Sequence, residues 1–206
     1  MLAKSSITAF LMIAVVTARG GINLTPSVTE YVAEGMKFHQ LTFQDGKRRI
    51  EYEPPRNWSF DGGANELRLK PPKNFAEAII SATPAAKAQT LDATAIKLLE
   101  EQVTTTLPNG SQFVKIEQEL ENVILLDGNN SFEITLSYQL MGEKFSRSVL
   151  FVKLPDTQLV FRLTARKDDF ALLHQEFRSS ILSWHSAETP QAGDQAAKVL
   201  ASDSAH

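Results

Sequence analysis

Residues 132–140 read FEITLSYQL and alternate apolar and polar side chains at every step. Phe132, Ile134, Leu136, Tyr138 and Leu140 fall on one side of an extended chain; Glu133, Thr135, Ser137 and Gln139 fall on the other. That period of two predicts a β-strand with one buried and one wet face. Met141-Gly142-Glu143 turns the chain into a second run at 144–153, and Pro155-Asp156 turns it into a third at 158–166. Three strands joined by short links predict an antiparallel meander.

Upstream, the runs at 37–44 and 47–53 flank Asp45-Gly46, a favoured hairpin turn. Pro54-Pro55 stops the second run, because neither ring nitrogen can donate to a ladder. Short strands are expected at 66–70 and 77–82. A longer extended stretch is expected at 112–126, broken near 119–122. Two segments change to a helical period. In 92–107, Ile96, Leu99, Val103 and Leu107 recur at steps of three and four, with Asp92 or Thr90 as the cap. In 168–184, Phe170, Leu173, Phe177, Ile181 and Trp184 form one stripe, and Glu176 lies on a different side. Each helix needs a sheet to bury its stripe, so the fold class is α+β, an antiparallel sheet packed by helices.

The ends differ from the middle. Lys4, the apolar run 7–16 (ITAFLMIAVV) and Val16-Thr17-Ala18 form a secretory signal pattern, predicting export, cleavage after Ala18 and no transmembrane segment in the mature chain. Residues 19–34 read as a loosely held lead-in, 35–186 as a single domain, and 187–206 as a flexible tail poor in apolar residues.

The order of elements resembles the PsbP-like superfamily, which includes small exported bacterial proteins such as DcrB. The carriers are Tyr52-Glu53-Pro54-Pro55-Arg56-Asn57-Trp58, the helix from Asp92, the meander 132–166, and the last helix with its ending Ile181-Leu182-Ser183-Trp184. The resemblance covers 36–185 and implies a PsbP-like α/β/α sandwich. It also implies an accessory or binding role, by analogy.

Chemical motifs are sparse. The chain has no cysteine, which excludes disulfides, a thiol nucleophile and a thiolate metal site. His39, His174, His185 and His206 show no metal-ligand spacing, and no cofactor is implied; all four are expected to be dispensable for folding. No Gly-x-Ser-x-Gly elbow occurs. Paired carboxylates such as Glu100-Glu101 and Asp168-Asp169 read as solvated charge. A net charge of −3 supplies no basic field for nucleic acid. The one basic cluster is Lys47-Arg48-Arg49, and Arg56, Arg68 and Lys70 would extend it. With Trp58, the residues Lys47, Arg48, Arg49 and Arg56 form the candidate partner surface, although the basic cluster reads equally as a solvated edge strand and Trp58 as buried packing. The expected role is an exported, non-catalytic accessory or binding protein whose partner is another protein or an envelope component. A small hydrolase or metal-dependent enzyme with a dispersed site is one alternative. A small-ligand carrier with an apolar pocket between sheet and helix is the other.

Overall fold

A computed structural model describes residues 22–46, 48–72, 75–84, 92–155 and 157–188. Two antiparallel sheets organise them. The smaller has the order β1-β2-β3-β11, from β1 (Asn23–Ala33), β2 (Met36–Asp45), β3 (Arg48–Tyr52) and β11 (His185–Glu188). The larger has the order β4-β5-β6-β10-β9-β8-β7. Its strands are β4 (Ser59–Gly62), β5 (Glu66–Lys70), β6 (Ala76–Pro84), β7 (Gln112–Glu121), β8 (Ser131–Leu140), β9 (Glu143–Lys153) and β10 (Thr157–Arg166). The expected meander is present, with Phe132 opposite Phe151 and Phe161 opposite Leu150.

Alternation along the central strands divides the interior in two. Leu150, Val152, Leu159, Phe161 and Leu163 point to one side, where they meet the inner face of the small sheet and helix α2 (Lys167–Ile181). Phe132, Ile134, Leu136, Val149 and Phe151 point to the other, under helix α1 (Ala93–Thr105). The α+β class stands, with a helix on each face of the large sheet. The expected single sheet is instead two sheets, and the small one lies beside α2.

Both helix stripes pack as their spacing requires. Asp92 caps α1 by accepting from the Ala95 N–H at 2.8 Å. At the other end of α1, Arg147 Nη1 donates to the Thr106 carbonyl at 3.0 Å, a cation on the negative end of the helix. Leu173, Phe177 and Ile181 of α2 are buried, and Trp184 sits among Phe43, Tyr52 and Phe161.

Two expectations change. Residues 23–33 of the lead-in form β1, anchored by fully buried Leu24 and by close approach to Gly62. A Cβ on Gly62 would lie 2.6 Å from the Leu24 carbonyl oxygen and 2.4 Å from Pro26 Cδ, so glycine permits this crossing. The start of the tail is also structured, because Ala187 and Glu188 belong to β11, which pairs with β3. Asp127 holds that strand by accepting from the Ser186 N–H and hydroxyl at 3.1 and 2.7 Å. Glu176 lies off the buried stripe, and its carboxylate accepts from Trp58 Nε1 at 3.2 Å. The apolar run 7–16, the cleavage point after Ala18, Lys47, His206 and the rest of the tail lie outside the described residues.

Candidate functional site

The polar side of β8 is where catalytic groups would be sought, and it is not wet. Glu133 is 4% exposed, because α2 lies over it. Its Oε1 accepts from Ser148 Oγ at 2.5 Å and lies 2.6 Å from His174 Nε2, while Arg178 Nη1 is 3.8 Å from Oε2. Phe170 stacks on the His174 ring at 5.1 Å. A hydrolytic relay needs the serine hydroxyl on the imidazole, with the carboxylate behind it. Here serine and histidine both bind the same carboxylate oxygen, so His174 is not placed to take the Ser148 proton. Burial alone would raise the Glu133 carboxyl, but the His174 and Ser148 hydrogen bonds and the charges of His174 and Arg178 outweigh it and hold it below its ordinary range. Among the described residues no group of three or more His, Asp or Glu side chains is placed to hold a metal.

The partner-surface candidates separate. Trp58 is 4% exposed and stacks on Phe177 with centroids 6.3 Å apart and rings 9° from parallel, so it belongs to the core. Arg48 bonds Asp45 at 2.5 Å and Arg49 bonds Glu51 at 3.0 Å, so both guanidiniums are neutralised within the small sheet. Arg68 stands on the outer face of the other sheet, paired to Glu66 and Glu77 at 2.7 and 3.2 Å, and does not extend the patch. Arg56 remains on the surface, with its Nη1 on Met36 Sδ.

That contact leads to a surface the basic cluster did not indicate. Val28, Tyr31, Val32 and Met36 are all exposed, on β1 and the start of β2. The two strands turn at Glu34-Gly35, where both residues have positive φ (51° and 75°), as the tightest hairpins require. Beyond Pro26, the chain from Ser27 to Ala33 is exposed or nearly so at every position, on both faces. β1 is an edge strand, so this stretch presents one row of backbone groups that no described strand pairs. The hairpin is an arm. Its outer face carries the cross-strand pair Tyr31–Phe38, stacked at 5.3 Å, and Tyr31 Oη donates to Glu53 Oε1 at 2.9 Å. On its other face His39 meets the edge of Phe60 at 5.5 Å, seating the base on β4. The signal in sequence was the run of strand-favouring residues Val28, Thr29, Tyr31 and Val32 before Glu34-Gly35, masked by Thr25-Pro26.

Among solved structures, cyanobacterial PsbP from Synechocystis sp. PCC 6803 aligns over 85% of this chain and 97% of its own, with a TM-score of 0.50 and 12% identity. The fold is PsbP-like. LpqN of Mycobacterium tuberculosis, involved in cell envelope biogenesis, aligns over 81% of this chain and 92% of its own, with a TM-score of 0.48 and 16% identity. PA94 of Pseudomonas aeruginosa, of unknown function, aligns over 75% and 94%, with a TM-score of 0.40 and 18% identity. No family model and no curated protein matches the sequence. Among the described residues no helix is long and apolar enough to cross a membrane.

Proposed function

We propose that the chain is an exported, non-catalytic accessory or binding protein acting on an envelope protein or assembly, and that its partner meets the β1–β2 arm. The observation that supports this reading is the exposure of both arm faces together with the unpaired edge of Ser27–Ala33. An extended segment added to such an edge gains main-chain hydrogen bonds, and side-chain pockets then give selectivity. The aromatic pair Tyr31–Phe38, with Met36 and Arg56 beside it, has the residue types that anchor interfaces. Export rests on Lys4, the apolar run 7–16 and Val16-Thr17-Ala18.

The experiment is site-specific photo-crosslinking in the native envelope, with the probe at Val32 on the arm or at Leu172 on α2, both well exposed. A discrete adduct from Val32 alone, lost on Tyr31→Ala, is the expected outcome. Equal adducts from both positions would remove the arm from the interface.

A further inference from the structure

Helix α1 sits loosely on the large sheet, since only Ala95 and Val103 among its residues are buried. Val103 seats the C-terminal half on Phe132, Ile134 and Val149, and Arg147 ties that end down. About two turns earlier, Ala95 brings only a methyl group to the contact. There a cavity of about 230 Å³ opens between helix and sheet. An apolar cavity of about 150 Å³ holds benzene, so this one has room for a six-membered ring and its substituents.

Ala95, Leu98, Leu99 and Gln102 are spaced i, i+3, i+4, i+7, so one face of the helix forms a wall of the cavity. Phe132 and Phe151, opposite each other on β8 and β9, form the floor. Leu98 is 52% exposed and makes an apolar lip.

The remaining wall is polar. Gln102 comes from α1, Asn130 from the segment before β8 and Gln158 from β10, so three elements each contribute a carboxamide residue. None of these three side chains makes a hydrogen bond among the described residues. Lys153, opposite Gln158 in register, is the one charged residue of the wall and already has a partner. A carboxamide both donates and accepts. Three unengaged carboxamides around an apolar floor and lip match a compact neutral ligand with hydroxyls on its rim and an apolar C–H face. A carboxylate or phosphate meets no free cation in this wall. A purely apolar ligand would strip water from the carboxamides without replacing its hydrogen bonds.

We propose that the cavity under α1 binds one uncharged pyranose ring of a glycan, its C–H face on Leu98 and the Phe132–Phe151 floor and its hydroxyls on Gln102, Asn130 and Gln158. The site shares no residue with the β1–β2 arm and stands or falls independently of it.

Amide NMR of the purified protein tests it. The probes are the methyl glycosides of glucose, galactose, mannose and N-acetylglucosamine, with cyclohexanol and glucuronate as controls. At least one glycoside should give saturable shifts centred on Leu98, Gln102 and Gln158. Gln158→Met, which keeps the side chain's length, should weaken that glycoside about fivefold or more and leave the weaker binding of cyclohexanol unchanged, the signature of a lost hydrogen bond. Ala95→Leu should fill the cavity and abolish binding of both, with the thermal midpoint at or above that of the parent. No saturable glycoside binding, glucuronate tighter than every neutral glycoside, or unchanged glycoside affinity in Gln158→Met would overturn the proposal.

Discussion

His174 Nε2 lies 2.6 Å from Glu133 Oε1, joining α2 to β8 across the buried side of the large sheet. The Glu133 carboxyl is held below its ordinary value of 4.5, so folding favours its ionised form. Its contribution is complete above pH 4.5 and is lost as pH falls through the lower folded-state value. Urea unfolding should therefore show stability declining below about pH 4.5, with a shallower slope in Glu133→Gln. Contrary to the expectation that every histidine is dispensable, His174→Ala should lose about 1.5–3 kcal/mol at neutral pH, the worth of a hydrogen bond to a charged group. Identical slopes in Glu133→Gln and the parent would show that this carboxyl is not the titrating group.

Phe177 fills the space between Trp58 and the sheet. Phe177→Ala should cost about 3–5 kcal/mol through lost burial and a cavity. Its neighbour Glu176 loses only the Trp58 contact when changed to Ala, about 0.5–1.5 kcal/mol. Chemical denaturation of the two variants should rank them clearly; equal losses would contradict the assigned helix face.

Gly62→Ala should push β1 away from β4, because both obstacles, the Leu24 carbonyl and the Pro26 ring, belong to a backbone with little room to yield. A loss of about 1–3 kcal/mol is expected. Amide exchange should quicken around Leu24 while β8 and β9 keep their protection. Unchanged exchange at Leu24 would mean that the crossing tolerates a side chain.

The arm should be separable from the core. Val32→Asp changes a residue that is 65% exposed, so stability should stay within about 0.5 kcal/mol of the parent. Crosslinking from a probe at Met36 should nonetheless fall sharply. A large drop in melting temperature would show that the arm packs on the body.

Export is checked at the N-terminus. Cleavage after Ala18 leaves Arg19 as the first residue, and intact mass measurement of the exported protein reads this directly. Material beginning at Met1 would instead indicate a retained segment.

The meander and both helices were legible because their side-chain periods are uninterrupted. β1 was hidden by Pro26, which reads as a break but is tolerated on an edge strand. β11 carries only His185–Glu188, too short for a period, and depends on Asp127, fifty-nine residues earlier in the chain. Glu133 was assigned to the wet face because alternation reports which residues share a side, not what covers it. Its burial comes from α2, a partner no local pattern names. Trp58 could be read from the sequence as core or as a contact residue, and Phe177 and Glu176, both on α2, make it core.

The last strand completes the first sheet. β3 gains its outer neighbour only when β11 arrives, and the Glu53 N–H finds the Ser183 hydroxyl 130 residues later. A chain emerging from the ribosome at about 5–20 residues per second leaves β1–β3 incomplete for roughly 7–26 s. Such long-range closure makes folding slow and leaves Leu41, Phe43 and Ile50 without their final cover until α2 and β11 have been made. Until α2 and β11 emerge, the β1–β3 hairpins are therefore the part of the nascent chain most open to misassociation.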